Sequence, residues 1–339
     1  MPILVTGSTG HVGNSLCRAL ISQRRPVRAM IRSTSNLRAL QNLEVETVEA
    51  NLLVPESLEQ AMEGCDVVYH AAGVYETWTA NPELEIIQPA VEGTRNVLQA
   101  AKAAKVKKII YVSSVVAMGG GTTFDHGRGP EDWFSDPALP YNIAKTRSEQ
   151  IAHQLSETLD LPVIFVLPGL ILGGNDFRVT PSTSLISTFL RGRIPFYFDG
   201  AFTVVHVDDV VQGMLKAEAH GVRGTRYVLG GEQITVLELF DHLAAMTKRQ
   251  TPGLRLTDTS GKFFAYPMKW IGQAFRTHPL LTPEFVKDHF GKYYNFDSRQ
   301  AREDLGYEYR PLLRVLEDTI NWLIRRGIVP DNIRVVENT

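Results

Sequence analysis

Tyr141 and Lys145 stand four residues apart in a stretch with helical spacing, so both side chains fall on one face about one turn apart. The chemistry open to such a pair is proton transfer. A phenol titrates near ~10, and it serves as an acid or base at neutral pH only where a close cation stabilises the phenolate. Lys145 can supply that cation. Tyrosine and lysine at this spacing also commonly mark the edge of a core face, so the pair gains its weight from Ser113 and Ser114. These end an apolar strand pattern at 108–112, and strand C-termini in open α/β sheets border the ligand crevice.

A second chemical feature opens the chain. Ile3-Leu4-Val5 breaks into Thr6-Gly7-Ser8-Thr9-Gly10-His11-Val12-Gly13, after which helical spacing begins at Val12, Leu16, Ala19 and Leu20. In a strand, tight turn and helix of this kind, Gly7 permits the turn, Gly10 admits a pyrophosphate and Gly13 lets the helix pack on the sheet. The helix N-terminus offers the phosphates free N–H groups and a positive dipole end. About 20 residues past the glycines, a carboxylate would meet the free ribose hydroxyl of NAD. That place holds Arg32, followed by Ser33 and Thr34. A guanidinium takes a phosphate in bidentate fashion, so a 2′-phosphate, hence NADP(H), is expected. Asn51 is placed to accept a hydrogen bond from the adenine amine through its carbonyl oxygen.

These groups need elements to hold them. Strand patterns at 27–31, 45–49, 66–70, 108–112 and 163–167 alternate with helical patterns at 54–63, 83–105 and 141–159. The alternation predicts an α/β fold, a Rossmann-type doubly wound parallel sheet. Regularity falls away from 168 to 199 and resumes with strands at 203–207 and 227–229 and helices near 236–247 and 311–326. The expected division is residues 1–171 with 203–230 as a cofactor-binding domain, and 172–202 with 231–339 as a smaller C-terminal substrate-binding lobe.

TGSTGHVG at the N-terminus, HAAG at 70–73, YVSS at 111–114 and YNIAK at 141–145 resemble, in order, the motifs of the extended short-chain dehydrogenase/reductases. Within that family the run 89–98, the run 189–209 and Val228-Leu229-Gly230-Gly231 are similar to the dihydroflavonol 4-reductase and cinnamoyl-CoA reductase branch and its bacterial relatives. The resemblance implies Ser114, Tyr141 and Lys145 as catalytic residues. It also implies cofactor contacts from Thr6, Gly7, Thr9, Gly10, His11, Val12, Gly13, Arg32, Asn51, Leu52, Ala71, Ala72, Gly73, Tyr141, Lys145, Pro168 and Gly169. Asn51 departs from the family's usual Asp. Phe202 stands where sugar-nucleotide epimerases commonly have an arginine, which weakens an epimerase reading.

The 35 basic and 37 acidic residues nearly cancel, so no overall field recruits nucleic acid or an anionic membrane. Cys17 and Cys65 suggest neither a disulfide framework nor a metal site, and a reducing, cytoplasmic setting is expected. No stretch of about 18 apolar residues predicts a membrane span. His206, Asp208 and Asp209 read as a structural junction, with Asp209 as a helix cap and no metal. His70 reads as a packed, hydrogen-bonded histidine. The helices at 83–105 and 141–159 could build a homodimer contact, although the sheet equally explains their apolar stripes.

Aromatic residues gather where loops reach the substrate side: Tyr75, Trp78, Trp133, Phe134, Phe196, Tyr197, Phe198 and Phe202. Tyr75, Trp78, Phe198 and Phe202 are the expected substrate contacts, and a broad apolar lining suits a bulky hydrophobic carbonyl. The expected activity is NADP-dependent interconversion of such a small-molecule carbonyl and its alcohol. Alternatives are a nucleotide-sugar epimerase, which needs a diphosphate clamp with Arg191 and Arg193 as candidates, and a 3β-hydroxysteroid dehydrogenase-like enzyme. A dinucleotide sensor without turnover would have no use for a proton donor.

Overall fold

The short apolar runs of the N-terminal half become the central strands of one sheet, buried by the helical segments between them, while the edge strand Glu46–Glu49 stays largely exposed. The computed structural model describes residues 1–76, 78–124, 128–275, 277, 279–330 and 333. In chain order its strands are β1 (Ile3–Thr6), β2 (Val27–Ile31), β3 (Glu46–Glu49), β4 (Val67–His70), β5 (Lys108–Val112), β6 (Val163–Pro168), β7 (Leu170–Leu172), β8 (Phe196–Phe198), β9 (Gly200–His206), β10 (Arg226–Leu229), β11 (Glu232–Thr235), β12 (Leu254–Leu256) and β13 (Lys292–Tyr293). The helices are α1 (His11–Ser22), α2 (Pro55–Met62), α3 (Gln88–Ala103), α4 (Pro140–Thr158), α5 (Pro181–Leu190), α6 (Val207–His220), α7 (Val236–Thr247), α8 (Asp258–Phe275), α9 (Pro283–His289), α10 (Arg299–Leu305) and α11 (Leu312–Arg325).

The large sheet has the order β10-β6-β5-β4-β1-β2-β3, and every pairing is parallel. One face is sealed by Leu58 of α2, Val97 and Leu98 of α3 and Ala152 of α4. The other is sealed by Leu16 and Leu20 of α1 and Val210 and Met214 of α6. After β3 at one edge the chain crosses back to β4 beside β1, so strand order reverses there and a crevice opens at the strand C-termini. Thr6, His70 and Val112 end their strands at that crevice.

A smaller sheet, β11-β9-β13 with β7 beside β9, covers the C-terminal side. Its core includes Ile186 of α5, Phe240 of α7 and Leu316 of α11. The stretch 203–206, expected in the cofactor half, is thus part of β9 in the smaller sheet; α6 and β10 then return to the large one. Helix α3 begins later than its sequence pattern, because Glu83–Ile87 forms a π-helical turn ahead of it. Helices α5 and α8 lie where no helix is expected from pattern. The first is rich in Ser and Thr, and the second carries Pro267 and exposes Phe263, Tyr266, Trp270 and Phe275 on its outer side, so neither shows a clean apolar stripe. No helix among the described residues is long and apolar enough to cross a membrane.

Candidate active site

Strand β5 delivers Ser114 to the crevice, where its hydroxyl accepts the Val116 N–H at 3.4 Å and opens a short 3₁₀ turn. Helix α4 delivers Tyr141 from its first turn and Lys145 one turn later. Burial and the neighbouring Tyr75 push the Tyr141 phenol well above its ordinary value, against a hydrogen bond with Ser114 that pulls it down. Burial lowers Lys145 to about 8, with Glu149 pulling the other way. Ser114, Tyr141 and Lys145 are therefore brought together on one side of the crevice.

Lys145 is fixed one turn beyond Tyr141 on α4. Its Nζ donates to the Val112 carbonyl at 3.3 Å, and a Cβ built on Gly73 would lie 3.5 Å from it. The ammonium thus lies beside the 71–73 turn.

The glycine loop has the shape its sequence calls for. Gly7 has φ +68°, and a Cβ there would sit 2.7 Å from the Ala72 nitrogen; a Cβ on Gly13 would sit 2.1 Å from the Gly7 carbonyl oxygen. Gly10 donates its N–H to the Gly7 carbonyl at 2.8 Å. The loop is thus a cradle that side chains would fill, with Thr9 and Val12 half-buried on it and the start of α1 behind it, which fits a bound dinucleotide pyrophosphate. Thr6 joins it to the next strand: its hydroxyl accepts the Ala72 N–H at 3.1 Å and lies 2.8 Å from His70 Nδ1. Burial, then Lys145, drives His70 down to about 3, so this histidine is neutral and structural, as its position at a strand end suggests.

His11 turns its ring away from the crevice, with Nε2 at 2.8 Å from the Gly174 carbonyl and Nδ1 at 4.0 Å from Asp176. Arg32 is exposed at the end of β2, and its guanidinium has no partner among the described residues. The Asn51 side-chain oxygen Oδ1 accepts the Leu53 N–H at 3.0 Å, which leaves one lone pair for an adenine amine. The Leu52 carbonyl is tied to Asn96 at 2.9 Å. Pro168 ends β6, and Gly169 is forced by the backbone of β9, since a Cβ there would sit 2.2 Å from the Thr203 carbonyl oxygen.

On the substrate side Tyr75 packs its ring 4.9 Å from Tyr141 and hydrogen-bonds Ser182 at 2.8 Å. Trp78 follows on the same loop, half-buried. Phe198 and Phe202 depart from expectation. Phe198 is buried and stacked on Phe290 with centroids 4.4 Å apart, and Phe202 packs against the same C-terminal core. The alternation of β8 and β9 turns both rings toward that core because the lobe needs the apolar volume. Trp133 is also withdrawn, lying under the Arg226 guanidinium at 4.0 Å. At the junction before α6, His206 Nδ1 accepts the Asp208 N–H and is the cap; Asp209 instead holds Arg310 through its backbone N–H and guanidinium. Among the described residues no cluster of His, Cys, Asp or Glu could hold a metal ion.

Three positioning groups carry no sequence motif, and the partners of two of them, Asn14 and Asp288, are distant in the chain. Asn14 ties the glycine loop to the Asn175 carbonyl at 3.0 Å. Buried Asp176 accepts the N–H and hydroxyl of Thr180, both at 2.7 Å. Asp288 of α9 reaches across to the start of α4 and accepts the N–H of Ala138 (3.0 Å) and Leu139 (2.8 Å) and the Asn142 amide (2.9 Å). Leu139 gives α4 no side-chain cap, so Asp288 supplies one from the other lobe. Asp288→Ala orphans these buried donors and is expected to cost about 2–5 kcal/mol in urea unfolding, with a fall in kcat as Tyr141 shifts. An unchanged midpoint would remove this role.

A parallel sheet with a glycine cradle at its order reversal and a serine, tyrosine and lysine beside it defines an NAD(P)-dependent oxidoreductase. Residues 3–230 match the family model described as the NAD dependent epimerase/dehydratase family, and the chain belongs to it, among the extended short-chain dehydrogenase/reductases. It is 32% identical over 336 residues to sterol demethylase protein B of Methylococcus capsulatus, covering 97% of this chain and 100% of that one. It is 26% identical over 351 residues to cinnamoyl-CoA reductase 2 of Medicago truncatula, covering 97% and 93%. The crystal structure of gox2253 superposes with a TM-score of 0.85 at 31% identity, over 97% of this chain and 99% of that chain.

Proposed function

We propose that the protein reduces a bulky, hydrophobic aldehyde or ketone with NADPH, or runs the reverse oxidation. The observation that carries this reading is the setting of Tyr141: a half-buried phenol packed against the Tyr75 ring, with Ser114 acting on it through a hydrogen bond. In the reading, Gly7, Gly10 and Gly13 with the α1 N-terminus hold the pyrophosphate, Arg32 the 2′-phosphate, Asn51 and Leu52 the adenine side, and Lys145 the nicotinamide ribose. NADPH bound there supplies a hydride to the carbonyl carbon. Ser114 donates a hydrogen bond to the carbonyl oxygen, and Tyr141 transfers its proton to that oxygen as the alcohol forms. Water then restores the phenol proton. The Tyr75 ring offers an apolar face to the substrate.

The kinship with sterol demethylase protein B and cinnamoyl-CoA reductase 2 supports an apolar substrate. The family description also includes epimerases, but a nucleotide sugar would need a diphosphate clamp. Arg191, one of the two candidates, is committed to the Ile328 carbonyl at 3.1 Å, and Arg193 lies on the surface. The same reading divides the chain into a cofactor domain, 1–171 with 203–230, and a substrate lobe, 172–202 with 231–339, except that 203–206 goes with the lobe because β9 belongs to the smaller sheet.

The test is NADPH oxidation against aryl and polycyclic carbonyls, short aliphatic aldehydes and acyl-CoA thioesters, with higher kcat/KM expected for the large apolar substrates. Saturable binding of a UDP-sugar with no turnover of any carbonyl would overturn it. Cofactor choice is tested separately. Charge-assisted hydrogen bonds contribute about 1.5–3 kcal/mol each, so Arg32→Asp is expected to shift the NADPH/NADH affinity ratio by more than about tenfold toward NADH. Equal affinity of the wild-type protein for both cofactors would remove Arg32 from this role.

A further inference from the structure

We propose that Glu149 is the positioning residue of this site: a buried carboxylate, clamped by Arg226, that anchors Ser113 directly beside Ser114 and serves as the counter-charge to Lys145. The importance of Ser114 and Lys145 is taken from the reductase reading above. Glu149 is 0% exposed and lies one turn beyond Lys145 on α4, which puts the two side chains on one face. Both of its oxygens are engaged. Oε2 accepts the Ser113 hydroxyl from the end of β5, and Oε1 accepts Arg226 Nε from β10 at 2.7 Å.

Arg226 has little freedom to do anything else. It is 6% exposed, donates Nη1 to the Pro130 and Asp132 carbonyls at 2.5 and 2.7 Å, and lies over the Trp133 ring. A buried ion pair is often no more stabilising than apolar side chains of equal volume, so stability alone is a weak reason for one at this point in the sheet. What this pair does locally is fix three elements, α4, β5 and β10, at the atoms next to the proton-transfer groups.

The charged and titratable groups around the pair come from four elements. Tyr141, Lys145 and His153 lie on α4, Tyr111 on β5, His70 on β4 and Arg226 on β10. His153 Nε2 is 3.7 Å from Oε1, and its ring is stacked on Phe165. Burial pushes the Glu149 carboxyl up, but His153, Arg226 and Ser113 outweigh it and hold it below its ordinary value, so it is ionised at neutral pH. Burial drives Lys145 in the direction of losing its proton, and the Glu149 charge opposes that. Without the carboxylate, burial would carry the lysine further toward its neutral form.

The test is the titration of Lys145, followed by ¹³C NMR of the reductively methylated protein without substrate, its resonance assigned with Lys145→Arg. Glu149→Gln is expected to lower the midpoint by about one pH unit, and the alkaline limb of kcat/KM should move down with it. Glu149→Asp, which keeps the charge but withdraws it by one methylene, should move both by less and in the same direction, and it serves where Glu149→Gln does not fold. A midpoint unmoved in a folded variant overturns the proposal and leaves a purely structural ion pair. Failure of the reductase reading would appear instead as full activity in Tyr141→Phe, with the lysine titration unaffected.

Discussion

Tyr141→Phe is expected to lower turnover by about 10²–10⁴-fold while NADPH still binds, since removing a general acid costs that much and the hydroxyl acts on the substrate rather than on the dinucleotide. The Tyr141 ring packs against Tyr75, and Ser114 acts on its hydroxyl. Ser114→Ala removes one donor to the developing oxyanion and should cost about 10²–10³-fold. Steady-state NADPH oxidation measures the loss, and cofactor fluorescence checks that binding survives. Full activity in Tyr141→Phe would mean that the proton comes from elsewhere.

The electrostatics add a pH signature to the same experiment. Lys145 titrates at about 8 because burial depresses it, so the cation is present below that value and lost as pH rises through it. Activity that needs the cation should therefore fall on the alkaline side near pH 8, where an unperturbed lysine would fall only near ~10.4.

Much of this was legible in the chain because it is local. The strand-turn-helix at Gly7 to Gly13, the i,i+4 placement of Tyr141 and Lys145, and the apolar runs of β1 to β6 all follow from residues close in sequence. The parts that could not be read are contacts across long separations. Asp288 capping α4, Asn96 holding the Leu52 carbonyl and Arg226 pairing with Glu149 each join residues that no periodicity links. Composition also misleads where one residue type serves two needs. Phe198 is an aromatic near the expected cleft, yet its stack on Phe290 belongs to the core of the smaller lobe. Lys145 shows a further limit: its spacing from Tyr141 gives the face it occupies, while the Val112 carbonyl decides where its charge points.

Gly13→Val is expected to abolish cofactor binding and destabilise the fold at once. A Cβ at position 13 would lie 2.1 Å from the Gly7 carbonyl oxygen, 2.6 Å from its carbon and 3.0 Å from the Ser8 Cα. All three are backbone atoms, so no side chain can swing aside, and relief requires α1 to move away from the turn. That movement breaks the Gly10 N–H to Gly7 carbonyl bond at 2.8 Å and turns the helix N-terminus away from the cradle. Overpacking usually costs about 1–3 kcal/mol, and backbone neighbours put this site at or beyond the upper end. A loss of about 3 kcal/mol is more than 100-fold in affinity if it falls on binding, and several degrees in Tm if it falls on folding. The control is Gly253→Ala, where a Cβ meets nothing within 4 Å; it should leave both quantities unchanged. Thermal melts with and without NADPH separate the two effects, because the melting shift produced by NADPH should vanish in Gly13→Val and persist in Gly253→Ala. A cofactor-induced shift of wild-type size in Gly13→Val would show that the turn does not hold the pyrophosphate.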